Sequence, residues 1–277
     1  MLKNGLYIVS TPIGNLKDIS ERAKSVLEDV SIIACEDTRV TKKLFSLLGI
    51  SISRKFISYQ DYSEEDKSQT IIDLINNGES VALVSDAGSP LISDPGYKVV
   101  KKCREQDIYV TVIPGACAVI SALQLSGLPT NRFMFVGFIP NKDKARKDLF
   151  EELKFIDTTL VFYETAPRLL KSLVQAKEIF INREIAVARE ITKMYEEVVV
   201  GEVDKIIKHF EDVEPKGEFV LMIAPPVVSH YSLDDVKDIL LNKMENMSLK
   251  SAVKEVCEKY SLNKNEVYAL ALELKNE

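Results

Sequence analysis

Residues 6–23, LYIVSTPIGNLKDISERA, decide the fold, because they join an apolar run, a loop and the start of a helical pattern. The apolar run at 6–9 is typical of a buried strand. Apolar residues then recur at helical spacing, at Ile19, Ala23, Val26, Leu27 and Val30. A strand, a loop and a helix in this order predict the opening unit of an α/β protein, in which the loop lies at the carboxyl end of a sheet and faces a ligand.

The loop at 10–15, STPIGN, lacks the glycines of a phosphate-binding loop. It contains a single glycine, Gly14, and matches neither G-x-G-x-x-G nor G-x-x-x-x-G-K-[ST]. Both patterns surround phosphate groups with main-chain amides. The sequence therefore predicts a ligand that needs no phosphate cradle, and we interpret Gly14 as space for the close approach of that ligand or of its substrate.

Short β-rich runs alternate with amphipathic segments along the first half of the chain. The predicted strands span residues 6–10, 31–35, 55–59, 80–85, 108–113 and 132–138. This alternation predicts an α/β fold with a largely parallel sheet that is covered on both faces. A second, mixed sheet is predicted because two of the later runs are close enough for a hairpin. The later runs lie at 159–164, 184–191, 194–202 and 218–224.

The change of pattern near residue 115 predicts a chain of three structural units. We place a boundary at Pro114 and Gly115, which gives an N-terminal α/β domain at 1–114 and a second α/β domain with a mixed sheet at 115–226. A small three-helix unit of helix-turn-helix type follows at 230–277, and both a packing or dimerisation role and a nucleic-acid role are compatible with it. Its predicted helix N-caps are Ser232, Ser248 and Asn263.

Composition argues against several classes of function. The 277 residues include four scattered cysteines without a CxxC pair and only two histidines, so a metal site, a disulfide framework and histidine general-base chemistry have little support. The net charge of -6 argues against non-specific nucleic-acid binding, although a local basic face is compatible with that sum. No apolar run reaches the roughly 20 residues of a membrane span, and we expect a cytoplasmic protein.

Two further loops follow predicted strands. SDAGSPLISDPG at 85–96 holds two glycines, two prolines and two aspartates at a strand end, which favours ligand binding. Asp94 is predicted to cap a helix that begins at Pro95, whereas Asp86 has no such structural explanation. In VIPGACAVISALQLSGLP at 112–129, we interpret Cys117 as a small residue near the ligand rather than a nucleophile, because no histidine is near in sequence.

The segment ACEDTRVTKK at 34–43 places two carboxylates beside an arginine and two lysines. One interpretation is a solvated helix start, with Asp37 or Thr38 as the capping residue. The other is a charged rim at the ligand cleft, so the segment holds candidates for both structure and function.

Eight motifs, in order, carry a resemblance to a known family. They are TPIGNLKDISERA, ACEDTR, SDAGSPLISDPG, VIPGACAVISAL, SGLPTNRFMFVGFIPNK, YETAPRL, ARE followed by TKMYEE, and KGEFVLMI. Over about residues 5–225 the chain resembles the RsmI family, the ribosomal RNA small subunit 2′-O-methyltransferases of the tetrapyrrole-methylase superfamily. The tail resembles the C-terminal helical domain of that family.

The resemblance implies transfer of a methyl group from S-adenosylmethionine to the ribose 2′-oxygen of a cytidine in the decoding region of 16S rRNA. The implied partner is 16S rRNA within the small ribosomal subunit. The implied fold has two α/β domains with the cofactor in the cleft between them, commonly as a homodimer. Two rival interpretations are a tetrapyrrole or diphthine methyltransferase of the same superfamily and a non-catalytic RNA-binding protein.

The resemblance also implies functional residues, at the positions where this sequence matches the motifs of the family. The cofactor-binding set is Pro12, Ile13, Gly14, Asp86, Ala87, Gly88, Ser89, Pro90, Ala116, Cys117, Phe162, Tyr163, Ala188 and Met222. Candidate catalytic residues are Glu36, Asp37 and Arg39, with a salt bridge to Arg39 as the alternative role for either acid. The other ionisable residues of the cleft-side motifs, which stay open as alternatives, are Glu164, Arg168, Arg189 and Glu190. The cations predicted to hold the RNA backbone are Arg39, Lys42, Lys43, Lys142, Lys144, Arg146 and Lys147, with a merely solvated surface as the alternative.

Two positions depart from the family pattern. Cys117-Ala118 stands where the family usually has Ser-Ala, which leaves main-chain contacts intact. YETAPRL at 163–169 lacks the histidine commonly found beside Arg168, so the sequence does not support a mechanism that needs a histidine there.

Overall fold

The structure is a computed structural model that describes residues 2–60, 64–226, 233–260 and 262–276. Internal contacts divide the chain into two compact units, Met1–Pro225 and Pro226–Glu277. Two β-sheets lie in the first unit, and the described residues of the second unit are helical or connect helices.

The first sheet has five parallel strands in the order β3-β2-β4-β1-β5, which confirms the predicted parallel sheet. Its strands are β1 (Gly5–Val9), β2 (Ile32–Cys35), β3 (Lys55–Ser58), β4 (Ser80–Val84) and β5 (Val110–Ile113). The intervening helices are α1 (Glu21–Asp29), α2 (Thr38–Leu48), α3 (Glu64–Asn76) and α4 (Tyr97–Glu105), and a short 3-10 helix (Leu16–Asp18) precedes α1.

Alternate residues of β1 pack on opposite faces of this sheet, as the two-residue period of a strand requires. Leu6 belongs to a core with Ile71 of α3 and Val99 of α4. Val9 belongs to a second core with Leu27 of α1. Both faces are therefore covered, and ligands reach a sheet of this kind at the carboxyl ends of its strands.

The second sheet is mixed, as predicted, with the order β6-β7-β10-β8-β9. Only β6 and β7 pair in parallel, and β8 and β9 form the predicted antiparallel hairpin. Its strands are β6 (Phe133–Phe138), β7 (Thr159–Thr165), β8 (Ile185–Arg189), β9 (Glu197–Gly201) and β10 (Glu218–Ile223). The helices of this half are α5 (Ala118–Ser126), α6 (Asp143–Leu153), α7 (Ala166–Ile179) and α8 (Val203–Asp212).

Pro114 and Gly115 connect β5 to α5, and α5 packs on the second sheet through Val119 and Ala122. A Cβ atom at Gly115 would lie 2.9 Å from the Cβ of Ser10, so this junction requires a glycine to approach the first loop. The segments that carry the two sheets belong to one compact unit, and a domain boundary at 114 stays a prediction.

The C-terminal unit contains α9 (Leu233–Asn246), α10 (Leu249–Tyr260) and α11 (Lys264–Asn276). Val236, Val253 and Val267, one from each helix, are buried in a common core. Two predicted caps are confirmed: the Ser248 Oγ accepts the Ser251 N–H at 3.3 Å, and the Asn263 Oδ1 accepts the Asn265 N–H at 2.9 Å. Ser232, and with it residues 230–232 of the predicted unit, lies outside the described residues.

One predicted helix start is wrong. Helix α4 begins at Tyr97 with Gly96 as its N-cap residue, not at Pro95 with Asp94 as its cap. Leu91, Ser93 and Gly96 all have positive φ values (71°, 66° and 143°), so the chain keeps turning until Gly96 and a helix starts only after it. Asp94 is thereby left in the loop, where it is available to line a site.

Among the residues that the structure describes, no helix has both the length and the apolar character needed to cross a membrane.

Candidate functional site

A cavity of about 300 Å³ lies inside Met1–Pro225, where loops at the carboxyl edge of the first sheet face the second sheet. Its first wall consists of Ile13, residues 86–89 and 92–94, and Cys117 and Ala118. The opposite wall consists of Phe138, Tyr163, Glu164, Thr165, Glu190, Ile191, Lys193, Glu218, Phe219 and Val220. Because α/β sheets bind ligands at this edge, the cavity is the candidate functional site.

Hydrogen bonds join the three loops of the first wall. The N–H groups of Thr11 and Gly88 each donate to the carbonyl of the other, at 2.8 and 3.1 Å. The Ser10 and Ser89 hydroxyl oxygens lie 2.9 Å apart, and Ser89 donates to the Ala116 carbonyl at 3.1 Å. The loops after β1, β4 and β5 therefore form one connected surface, which limits how far any of them moves alone.

Strained backbone concentrates at the cavity. Of the six non-glycine residues with positive φ in the described part of the chain, Leu91 and Ser93 belong to one cavity loop and Glu190 and Thr192 to another. Each such residue costs on the order of 1–3 kcal/mol and persists where surrounding contacts fix it, often at functional sites. The strain thus supports a functional assignment of this cavity.

Asp86 is the acid of the first wall. Its Oδ1 accepts the main-chain N–H of Asp37 at 3.1 Å, which ties the cavity to the start of α2. Burial raises the pKa of Asp86, and the hydrogen bond from Asp37 partly opposes this shift. Asp94 lies in the same wall, so two carboxylates of the loop after β4 line the cavity.

Lys193 lies between two acids on the opposite wall. Its Nζ is 2.9 Å from the Glu190 Oε1 and 2.7 Å from the Glu218 Oε2. Burial alone would lower the pKa of Lys193, but the hydrogen bonds to the two carboxylates outweigh it and raise the pKa. Lys193 therefore stays protonated at neutral pH.

Glu164, a residue of the opposite wall, has a fully buried carboxylate. Its Oε1 lies 2.8 Å from the Arg168 guanidinium and accepts the Thr165 N–H at 2.8 Å, while its Oε2 accepts the Ser172 hydroxyl at 2.6 Å. Each oxygen therefore has a partner, and Arg168 also donates to the Thr165 hydroxyl and the Ile139 carbonyl. This network fixes the end of β7, which carries Tyr163 and Thr165 into the cavity wall.

The structure places half of the predicted cofactor-binding residues in the cavity wall. These are Ile13, Asp86, Ala87, Gly88, Ser89, Cys117 and Tyr163. Pro12, Gly14, Pro90 and Ala116 are chain neighbours of these residues, not wall residues. Phe162, Ala188 and Met222 are fully buried in the cores of the second sheet, and Phe162 faces away from its neighbour Tyr163 because successive strand residues alternate.

The structure gives Gly14 a role besides the close approach of a ligand, which stays a prediction. A Cβ atom there would overlap the Lys193 Cγ and would lie 2.9 Å from the Thr192 Oγ1. Gly14 therefore makes room for the loop that carries Lys193, and it acts on the cavity through that loop.

Among the ionisable candidates, Glu164 and Glu190 line the cavity, whereas Glu36, Asp37 and Arg39 do not. Asp37 caps α2, as predicted, by accepting the Arg39 N–H at 2.8 Å, and it pairs with the Arg39 guanidinium at 2.5 Å. The hydrogen bonds from Arg39 lower the pKa of Asp37 to about 2, so this carboxylate is a weak base near neutral pH. The salt-bridge alternative holds for Asp37.

Most of the predicted RNA-contacting cations are exposed. These are Arg39, Lys42, Lys43, Lys142, Lys144 and Lys147. The structure contradicts Arg146 as an exposed cation, because its side chain is only 4% exposed and pairs with Asp143 at 2.5 Å. Its Nε also donates to the Gln175 Oε1 at 2.7 Å, so Arg146 fixes α6 against α7.

Sequence reasoning missed several wall residues of the second sheet. Phe138, Lys193 and Glu218 lie within the motifs at 126–142, 188–197 and 216–223, and the sequence assigns them no role. In the first wall, the sequence predicts Asp94 only as a helix cap. No group of acidic, histidine or cysteine side chains suited to holding a metal ion occurs among the described residues.

Comparison with known families gives two matches. A family model described as tetrapyrrole (corrin/porphyrin) methylases matches residues 5–207. A second model, described as the RsmI C-terminal HTH domain, matches residues 232–275.

Curated relatives match nearly the full length. The chain is 45% identical over 273 residues to ribosomal RNA small subunit methyltransferase I of Rickettsia prowazekii, covering 98% of this chain and 97% of that protein. It is 48% identical over 274 residues to the protein of the same name from Erythrobacter litoralis, covering 99% and 96%.

Solved structures show the same fold at low identity. A diphthine synthase superposes with a TM-score of 0.61 at 14% identity, over 79% of this chain and 89% of that one. The uroporphyrin-III-C-methyltransferase of Thermus thermophilus gives a TM-score of 0.55 at 20% identity, over 80% and 94%.

Proposed function

Because this chain belongs to the tetrapyrrole methylase family and its tail to the RsmI C-terminal domain family, we propose that it transfers a methyl group from S-adenosylmethionine to a cytidine ribose 2′-oxygen in the decoding region of 16S rRNA. The names of its relatives support a small-subunit rRNA substrate. The ribose oxygen, the cytidine and the decoding region follow from the motif resemblance. We propose that it acts in the cytoplasm as a homodimer.

One observation carries the proposal: the cavity is lined by the first-sheet loops implied for cofactor binding and holds more acids than bases, with acids in both walls. Asp86, Asp94, Glu190 and Glu218 line it together with apolar residues such as Ile13 and Val220, and Lys193 is the only basic residue among the described wall residues. Acids suit a cofactor that carries a sulfonium and an ammonium group, and they disfavour a phosphate ligand. The residues present therefore fit S-adenosylmethionine.

S-adenosylmethionine supplies an activated methyl group, so the main task of the protein is to align the acceptor oxygen. Residues 86–89, Ile13 and Cys117 would hold the cofactor on the first wall. Lys193 stays protonated and cannot take up a proton. Glu218, whose side chain is 80% exposed at the cavity edge, is the carboxylate that a substrate hydroxyl reaches most readily.

Alkylation of Cys117 tests the cofactor site directly. Cys117 and Cys257 are partly exposed, whereas Cys35 and Cys103 are buried, and burial raises the pKa of each buried thiol to about 11. Iodoacetamide is therefore expected to modify Cys117 and Cys257 first. S-adenosylhomocysteine should slow modification of Cys117 about 10-fold or more at saturation, by occupancy of the cavity. Peptide mass spectrometry gives both rates.

Cys257, which lies in the C-terminal unit, is the internal control for this measurement. Its modification rate should not change with the ligand. Equal protection of both cysteines, or of neither, would contradict a cofactor site at Cys117.

Charge reversal tests the RNA-binding surface. Exchange of Lys142, Lys144 and Lys147 for glutamate should weaken binding to 30S subunits by about 10-fold or more and should flatten the salt dependence of binding, because phosphate contacts are lost. The affinity for S-adenosylmethionine should stay unchanged. Filter binding at several salt concentrations and calorimetry measure the two effects.

The matched control is Lys205→Glu, since Lys205 is an exposed helical lysine that does not line the cavity. This variant should bind 30S subunits like the wild type. An equal loss for Lys205→Glu would show a general charge effect in place of a defined surface.

The proposed reaction is tested by methyl transfer from labelled S-adenosylmethionine to 30S subunits and to naked 16S rRNA, with the modified nucleotide mapped. Label on a cytidine ribose in the decoding region supports the proposal, whereas label on a base refutes it. Uroporphyrinogen III and diphthine precursors serve as rival acceptors, and calorimetry without S-adenosylmethionine binding would favour a non-catalytic RNA-binding protein.

A further inference from the structure

Phe138 presents an aromatic surface at the cavity. It lines the wall that the second sheet provides, and it is 53% exposed. Resting on the proposed function, we propose that Phe138 is the stacking platform for the base of the methyl-accepting nucleotide. The substrate is then an unpaired ribonucleotide whose base has left its stack.

A β-bulge directs Phe138 into the cavity. Phe135 pairs with Val161 and Phe138 pairs with Tyr163. Two residues lie between the phenylalanines on β6, but only one residue lies between their partners on β7. The extra residue lies between Phe135 and Gly137, and Gly137 has φ +90°, which favours glycine. Without the bulge, alternation along β6 would put Phe138 on the opposite face from Phe135.

The face to which Phe138 is directed is the cavity face. Val161 belongs to the core on the α5 side of the sheet, and Tyr163 packs against that core. Val136, the residue before the bulge glycine, packs instead against the core on the other side. Bulges near functional sites commonly re-aim a side chain in this way.

Neighbouring rings hold Phe138 in place. Its ring centroid lies 5.3 Å from that of Tyr163 in a tilted contact, and the Tyr163 ring is 4.9 Å from Phe135 in an edge-to-face contact. Tyr163 is therefore supported on both sides and in turn supports Phe138. An exposed ring with a fixed orientation is suited to stack a planar base at low entropic cost.

Cations follow Phe138 closely along the chain. Lys142, Lys144 and Lys147 are exposed at the start of α6. Single-stranded nucleic acids are held by aromatic residues that stack bases beside cations that hold the backbone. Six of the seven wall residues implied for the cofactor come from loops of the first sheet, and Tyr163 is the exception in the second. Phe138 belongs to the second sheet and precedes the exposed cations, so the observations favour the substrate base over the cofactor adenine as its partner.

The experiment compares full-length Phe138→Ala, Phe138→Leu and Phe138→Tyr with the wild type, using 30S subunits as the probe. We expect kcat/KM for methyl transfer to fall about 5- to 100-fold in the alanine variant, to fall nearly as far in the leucine variant, and to stay within about 3-fold in the tyrosine variant. The dissociation constant for S-adenosylmethionine should stay within about 2-fold. Phe155→Ala is the matched control, because Phe155 is 83% exposed and does not line the cavity.

Three outcomes overturn the stacking role of Phe138. Full activity of Phe138→Leu would show that only apolar volume matters, and weaker S-adenosylmethionine binding by Phe138→Ala would assign the ring to the cofactor. A loss of kcat/KM in Phe155→Ala equal to that in Phe138→Ala would show that the effect is not specific to the cavity. The wild-type reaction reports separately on the proposed function. Absent ribose labelling by the wild type refutes both proposals, whereas normal wild-type labelling with an unaffected Phe138→Ala variant refutes the platform alone.

Discussion

Exchange of Gly14 for valine is expected to lower methyl transfer to 30S subunits by about 100-fold or more, a loss typical of a displacement of about 1 Å in a reacting site. The new Cβ would overlap the Lys193 side chain and would crowd the Thr192 hydroxyl. The loop between β8 and β9 must then move, and Lys193 loses its positions beside Glu190 and Glu218. Overpacking of this kind costs about 1–3 kcal/mol of folding free energy, so urea denaturation should show a folded protein.

The control is a double-mutant cycle between Gly14→Val and Lys193→Ala. If the overlap with Lys193 causes the loss of stability, truncation of that side chain should recover about 1 kcal/mol in the double variant. Additive effects of the two exchanges would contradict a direct contact. Wild-type transfer rates in Gly14→Val would refute the role of this loop in the reaction.

The second large effect concerns stability. Glu164→Ala is expected to lower the free energy of unfolding of the chain by about 3–5 kcal/mol, because it leaves the Arg168 guanidinium without its charged partner in a mostly buried position. The hydroxyl of Ser172 and the N–H of Thr165 lose an acceptor as well. Urea denaturation followed by circular dichroism measures the difference.

Asp204→Ala is the matched control. Asp204 pairs at 2.5 Å with Lys177, which lies in helix α7 like Arg168, but this ion pair is exposed. Its expected cost is below about 1 kcal/mol. Similar costs for both variants would show that the Glu164 network contributes no more than a surface pair.

Hydrophobic periodicity predicts the sheets of this protein because the apolar or polar character of neighbouring residues already shows which positions of a strand are buried. Alternate burial of Leu6 and Val9 on the two faces, and short apolar runs between amphipathic helices, follow from the amino-acid order alone. The parallel pairing of β1 with β4 and β5 follows from the same alternation, since helical connections return each strand in the same direction.

The first wall of the site was predictable for a related reason. Loops that follow buried parallel strands meet at one edge, so the loops that carry Asp86 and Cys117 are expected together from the order of the elements. Ile13, in contrast, was selected by the motif resemblance.

The second wall depends on contacts that no local pattern encodes. Lys193 meets Glu218 only because β8 pairs with β10, and Arg146 is buried because Gln175 of the next helix accepts its Nε–H. The direction of Phe138 depends on a register shift between β6 and β7, and sequence alternation alone gives the opposite face. In the first wall, the prediction for Asp94 is wrong because the backbone at Leu91 and Ser93 has positive φ values that the sequence does not signal.

The acids of the cavity have a consequence for turnover in the proposed reaction. Methyl transfer from a sulfonium leaves a neutral thioether, so the proposed ligand loses one positive charge in each reaction cycle. Asp86, Asp94, Glu190 and Glu218 would then attract the spent ligand less strongly than its fresh counterpart. Under this proposal the carboxylates favour exchange of product for donor, and product inhibition should deepen when these acids are neutralised.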